Sequence, residues 1–467
     1  MQPIAPQAPL APAPCLLALG VDLGSSGLRI AVCDASGELL AELASDYPGA
    51  FEDPESWRLG LLTLVGQLPK QLSRRVGSIA LAGTSGTLML CRPDGGLAPG
   101  ELGLALPYSL ACIEQADSLP AILAPLPSAL PSAAEPSAAD SEPVYSAAGD
   151  PAAGDPAAGD PAASASGSLA RALRLLAAAK AAGIDGPWLL RHQADWLMGW
   201  LLGDWRWGEE GNNLRLGWRL EGQCWAGSIA RQPWREALPQ IVASGRRLGP
   251  LAPAAALALG LPESCQVVAG STDANAAVLA ANPQAGDGIT LLGTTLVLKQ
   301  FCDKPIQAPG VSCHRVAGRW LVGGASNAGA GILRRFFSDD QLIELSRQIN
   351  PAQPSGLSLR PSSVIGERFP IDDPQLQPIL EPRPVSDALY LQALLEGLAE
   401  IERAGWQRLA QLGAPPLQRV ISLGGGARNP QWRAMRQRLL GVPVLNRPQL
   451  SAAMGMARLA STVLPPP

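Results

Sequence analysis

Two carboxylates stand where β-like runs break into small, hydroxyl-bearing turns. Asp22 closes the apolar run that begins at Cys15 and is followed by Leu23-Gly24-Ser25-Ser26-Gly27. Asp273 follows Val267–Ala269 and the linker Gly270-Ser271-Thr272. Small residues leave backbone N–H groups accessible and hydroxyls add donors, which is what a phosphate group requires. A carboxylate at a strand end ahead of such a turn can hold Mg²⁺, directly or through water. Gly293-Thr294-Thr295, after the run Gly288–Leu292, repeats the device. Either turn alone is compatible with an ordinary hairpin; two, each at the head of an α/β half, form a clamp on a polyphosphate. Neither is a Gly-x-x-x-x-Gly-Lys-Ser/Thr loop, and the Gly-x-Gly-x-x-Gly dinucleotide fingerprint is missing at the first strand.

Gly424-Gly425-Gly426-Ala427-Arg428-Asn429 lies between a strand-like and a helix-like run. Its glycines allow close backbone approach to a base or ribose. Asn429 and Trp432 can frame a purine there; equally, Asn429 can simply cap the following helix. Asp273, at a strand end opening onto a helix, is either a general base at the usual ligand edge of an α/β sheet or a helix cap. The segment Gly323–Gly331 is too glycine-dense for a mere connector.

The elements that must carry these groups follow from pattern. Leu28–Asp34 and Glu38–Asp46 continue the first run as a meander, and Val76–Leu81 reads as a buried strand. Ser168–Ala182 reads as a helix capped by Ser168, Trp188–Gly203 as one Trp-rich helix, and Ser386–Leu412 as a long helix. The echo of VDLGSSGLRIAVCD in TLLGTTLVLKQFC predicts two related α/β halves facing a cleft. The first fourteen residues form a Pro/Ala-rich arm, expected to be disordered. A Gly-Asp-Pro unit repeats every five residues over Ala148–Ala163, inside a flexible insert placed at residues 119–167.

Composition narrows the chemistry. The 467 residues carry 36 Lys+Arg against 40 Asp+Glu, a formal charge of -4, so no basic field draws in nucleic acid. Two histidines, His192 and His314, leave little room for a zinc site or a Ser–His–Asp triad. The 8 cysteines contain no Cys-x-x-Cys pair and sit mostly in apolar runs, which predicts reduced thiols and a cytoplasmic protein without a membrane span.

In this order the motifs resemble the FGGY carbohydrate kinases, a family related to hexokinase, actin and the 70-kDa heat-shock ATPases. The likeness runs from about Leu16 to Ser461. Its anchors are Asp22–Ser26, Asp273, Gly293-Thr294-Thr295, Gly424–Gly426 and the closing Ser451-Ala452-Ala453-Met454-Gly455-Met456-Ala457. Gly83–Thr87, His192–Leu197, Asn212–Gly217 and Gly324–Asn327 are most similar to the xylulose-kinase-like branch of cyanobacteria and plants, whose members look like D-ribulose kinases. The resemblance implies two ribonuclease H-like α/β domains flanking a catalytic cleft. Residues 15–280 with 451–467 would form the sugar-binding domain and residues 281–450 the nucleotide-binding domain.

It also implies ATP and Mg²⁺ as cofactors, a ketopentose as substrate (D-ribulose, or alternatively D-xylulose), and a monomer or homodimer. Asp22 becomes the Mg²⁺ and phosphate-end carboxylate and Asp273 the base, both touching the sugar along with Ser85. Leu23, Gly24, Ser25 and Ser26 line the first phosphate turn, and Gly293 and Thr294 the second. Gly425, Gly426, Asn429 and Trp432 line the adenosine site. One departure stands out: Pro107–Cys112 lacks the acidic–basic pair that related kinases place on the sugar. A binding protein of the same superfamily without turnover is the rival reading.

Overall fold

The computed structural model describes residues 16–124 and 160–465. Two six-stranded mixed sheets organise the chain. In the first, Leu17–Leu23 sits centrally, antiparallel to Leu28–Cys33, which pairs on with the edge strand Leu39–Ser45. On its other side lie the parallel strands Val76–Gly83 and Gln266–Thr272, then the antiparallel Arg247–Pro250. The second sheet repeats this plan. Asp287–Leu292 is flanked by antiparallel Leu296–Cys302 and Arg319–Ser326 on one side and by parallel Arg419–Leu423 and Val444–Asn446 on the other. Val311–Val316 adds an edge strand. The expected pair of related α/β halves is therefore present. In each, the central strand is buried nearly throughout, as its unbroken apolar run requires.

Small residues let two helices pack between the sheets. The C-terminal helix Ala452–Ser461 lies against the first sheet so closely that a Cβ on Gly20 would stand 2.0 Å from the Ala453 carbonyl oxygen. A Cβ on Gly455 would meet the Ala276 carbonyl oxygen, on the helix Asp273–Ala280, at 1.8 Å. Val278 on that helix joins Ile289, Phe301, Leu321 and Ile421 of the second sheet in one apolar cluster. The alanine-rich sequences of both helices are thus what brings the sheets together.

Three expectations are corrected. Trp188–Gly203 is not one helix: Leu189–His192 is a strand, antiparallel to Leu88–Cys91, and the helix runs over Gln193–Leu202. Leu88–Cys91 supplies a ladder partner for this segment, and Arg191 buries its guanidinium against the carbonyls of Leu190 and Ala237. Ser168 is the first residue of its helix, whose cap is Gly167; the Ser168 hydroxyl instead meets His192 Nε2 at 2.9 Å. The insert placed at 119–167 is structured at both ends. Leu119–Leu123 is a short helix with both terminal leucines buried, and Ala162 is buried while Asp160 pairs with Arg219. The arm 1–14 and the Gly-Asp-Pro repeat up to residue 159 lie outside the described residues. The seven described cysteines are free, and no described helix is long and apolar enough to cross a membrane.

Candidate active site

The strand register of the first sheet brings the carboxylates together. Leu23, Gly83 and Thr272 stand side by side on three neighbouring parallel strands, so Asp22 and Asp273 lie at strand ends two positions apart, about 10 Å at normal strand spacing. Asp22 is 8% exposed. Burial first, and then the charge of Asp273, lift its carboxyl to about 6, against the pull of Arg29 across the hairpin. Asp22 Oδ1 is buried and makes no hydrogen bond within the protein. Asp273 is half-buried and its carboxyl is also raised, by burial, although Oδ1 accepts the Ala274 N–H at 2.7 Å. The helix cap is Thr272, whose side chain accepts the Asn275 N–H, so Asp273 is spared that task.

Between them, the end of Val76–Gly83 is held by a directional chain of hydrogen bonds. The Tyr108 N–H donates to Thr87 Oγ1 at 3.1 Å, Thr87 and Thr84 share a hydroxyl contact of 2.6 Å, and the Thr84 N–H and hydroxyl both donate to Gln193 Oε1. Arg171, fully buried, donates to the carbonyls of Gly86, Tyr108 and Leu110. Arg215 reaches the carbonyl of half-buried Ser85 at 3.4 Å. The uncharged Pro107–Cys112 stretch therefore contributes main-chain groups here, and the positive charge arrives from a helix some sixty positions further along the chain. Neither Gln193 nor Arg171 is among the expected site residues; Gln193 lies in the His192–Leu197 stretch that carries the resemblance, and Arg171 shows only as a polar residue interrupting an apolar, helix-like run.

In the second sheet, Leu291 and Leu423 pair on adjacent parallel strands, so the Gly293 and Gly424 turns emerge next to each other. Gly293 and Thr294 are exposed. The glycine-dense segment packs beneath them: the Ala330 N–H donates to the Gly293 carbonyl at 2.9 Å and the Gly331 N–H to that of Thr294. Gly424 has φ +85, and a Cβ on it would crowd the Leu292 carbonyl oxygen at 3.0 Å, while Gly425 faces open space. Asn429 caps the helix Pro430–Leu440, accepting the Trp432 N–H at 3.0 Å and donating to Ser346. Trp432 is 2% exposed, lies under Gly426 and donates Nε1–H to the Leu395 carbonyl. Its ring, expected to frame a base, lies beneath the glycine loop and supports it from the core. A cavity of about 450 Å³ opens beside this loop, lined by Ala427, Arg428, Arg433 and Arg447. A larger one, about 630 Å³, lies along the long helix Asp387–Gln411, and neither Asp22, Asp273 nor the turns at Gly24, Gly293 and Gly424 line it.

An unpaired, buried carboxylate oxygen beside a phosphate-type turn is the donor a hard divalent cation takes. Among the described residues no group of three or more His, Cys, Asp or Glu could hold a metal by itself. Asp22 is the residue that would hold such a cation.

Comparison with known proteins places the chain among sugar-kinase-like folds. The chain is 27% identical to the xylulose kinase of Klebsiella pneumoniae over 262 residues, 51% of this chain and 54% of that protein. It spans about half the length of the curated relatives it matches. The solved xylulose kinase from Bifidobacterium adolescentis superposes with a TM-score of 0.73 at 20% identity, covering 97% of this chain and 93% of that one. Plasmodium falciparum glycerol kinase, solved with ADP, gives 0.71 at 14%, covering 96% and 89%. The chain thus has the two-domain actin/hexokinase-like α/β fold of these kinases, and its residues 289–464 match the C-terminal domain of the FGGY family of carbohydrate kinases.

Proposed function

We propose that the protein is an ATP-dependent sugar kinase that phosphorylates the terminal hydroxyl of a ketopentose, with D-ribulose the first acceptor to test. The observation that carries this reading is the placement of Asp22 and Asp273 at the ends of strands two positions apart in one sheet, one beside a phosphate-type turn and the other free of its capping role. A sugar hydroxyl is a weak nucleophile at neutral pH and needs a proton acceptor as the bond to phosphorus forms. Asp273 takes that proton, and its raised pKa makes it a stronger base than an ordinary aspartate. Ser25, Ser26 and Thr294 donate to the phosphates, and the Gly424–Gly426 loop receives the nucleoside. Asp22 would hold Mg²⁺, which when bound would supply charge neutralisation for the phosphoryl group. Closure of the lobes keeps water from taking the sugar's place. The names of the relatives favour D-xylulose as a second reading.

The test is sugar-stimulated ADP release over a panel of ketopentoses, comparing wild type with Asp273→Asn. That variant keeps size and most hydrogen bonding but cannot accept the proton, so turnover should fall about 100-fold or more. Affinity for ATP should hold. If no sugar stimulates the wild type, the protein binds without turnover; if the variant keeps its rate, Asp273 is not the base.

A further inference from the structure

Tyr47 belongs to none of the motifs above. It follows the edge strand Leu39–Ser45, and its hydroxyl donates to the carbonyl of Gly24, inside the first phosphate turn, at 2.8 Å. The ring is anchored from the core outward. Tyr47 lies 5.9 Å from Phe51, Phe51 6.2 Å from Trp57, and Trp57 6.2 Å edge-on to Trp196, ring centre to ring centre. Trp57 is fully buried and donates Nε1–H to the Phe51 carbonyl at 2.6 Å. The phenol therefore has little freedom to leave the turn. Burial and the nearby Asp22 carboxylate push its pKa up, so it stays a donor at any working pH.

The consequence is stereochemical. The Gly24 carbonyl and the Ser25 N–H belong to one peptide unit, which is not among the cis bonds, and in a trans peptide the two point in opposite directions. Holding the carbonyl toward Tyr47 turns the Ser25 N–H outward. Ser25 and Ser26 are exposed, and neither N–H is used in a hydrogen bond among the described residues. A turn of glycine and serine has no side-chain bulk to stop that peptide from flipping. Gly27 braces the far side, where a Cβ would stand 2.5 Å from the Ser45 carbonyl oxygen.

We propose that Tyr47 is a positioning residue for phosphate binding, setting the Gly24–Ser25 peptide so that the Ser25 N–H faces the nucleotide's phosphates. The inference rests on the nucleotide-dependent reading above. Tyr47→Phe keeps the aromatic ladder and removes one hydroxyl. Calorimetric titration with ADP should show affinity weakened roughly 5-fold or more, the scale of one lost hydrogen bond. Titration with adenosine, which lacks phosphates, should match wild type, as should the melting temperature and the KM for D-ribulose. ADP binding within 2-fold of wild type, or an equal loss for adenosine and ADP, overturns the role. A wild type that binds neither ADP nor pyrophosphate removes the phosphate turn and this inference with it. A wild type that binds ADP but phosphorylates no sugar sinks the kinase reading alone, and the ADP-against-adenosine comparison still decides Tyr47.

Discussion

Glu402 and Arg436 form an ion pair that is 1% and 0% exposed in the middle of the second lobe. Arg436 Nη2 reaches Glu402 Oε1 at 2.6 Å, and Nη1 reaches Ser422 Oγ at 2.7 Å. Glu402 also accepts the Thr290 hydroxyl at 2.6 Å. Thr290 and Ser422 are register partners on the two strands that end in the Gly293 and Gly424 turns. One buried pair thus pins both proposed nucleotide-binding turns from below. Glu402→Ala leaves a guanidinium buried without its carboxylate, and removing one partner of such a pair costs about 3–5 kcal/mol. For a unit of 150–250 residues, that lowers the melting temperature by roughly 10 °C. Scanning calorimetry reads the shift. The double variant Glu402→Leu with Arg436→Met should regain much of the loss, because burying the charges is itself expensive. A single variant that melts within about 2 °C of wild type, or a double variant no better than the single, would refute the reasoning.

Gly329→Ala would place a Cβ 2.4 Å from the Thr294 carbonyl oxygen, with backbone on both sides of the contact. Displacing the second phosphate turn should weaken ADP binding about 10-fold or more, at a stability cost of roughly 1–3 kcal/mol; calorimetric titration and melting check the two arms. Asp22 predicts a pH dependence. Its carboxyl ionises near 6 in the folded chain against 3.8 ordinarily, so the folded state keeps a proton the unfolded state has lost. Its contribution is therefore most favourable below about pH 4 and is lost as pH rises to about 6, by on the order of 3 kcal/mol. Urea titrations of wild type and Asp22→Asn without added metal should differ by that slope; coincident slopes would mean that Asp22 is not held in this environment.

Local signals located the turns well, because such a turn is itself local. A turn that offers N–H groups to phosphate must be built from small residues, so Asp22–Gly27, Gly293–Thr295 and Gly424–Gly426 announce themselves, and the structure places each at a strand end. The side on which the Trp432 ring lies was not legible, because an aromatic beside a glycine loop has the same sequence whether its ring faces outward or fills the space the glycines leave underneath. The boundaries of the 119–167 insert misled because short apolar pieces such as Leu119–Leu123 and Ala162 are ordered by packing on the Ser168–Ala181 helix, not by any periodicity of their own.

Periodicity and composition alone decide that this chain builds strands that break into glycine–hydroxyl turns, that it does so twice, and that two aspartates stand at strand ends. Those properties depend on neighbours within a few positions. The tertiary structure alone decides that Asp22 and Asp273, about 250 positions apart, share one edge of a sheet, since parallel register is set by packing on both faces. It alone brings Tyr47 under Gly24 and Gln193 over Thr84, and makes Arg436 and Glu402 a common footing for two turns. Each of these is a polar group whose partner is chosen by burial: once it leaves water it must bond to whatever the fold brings within reach, and that depends on the whole chain.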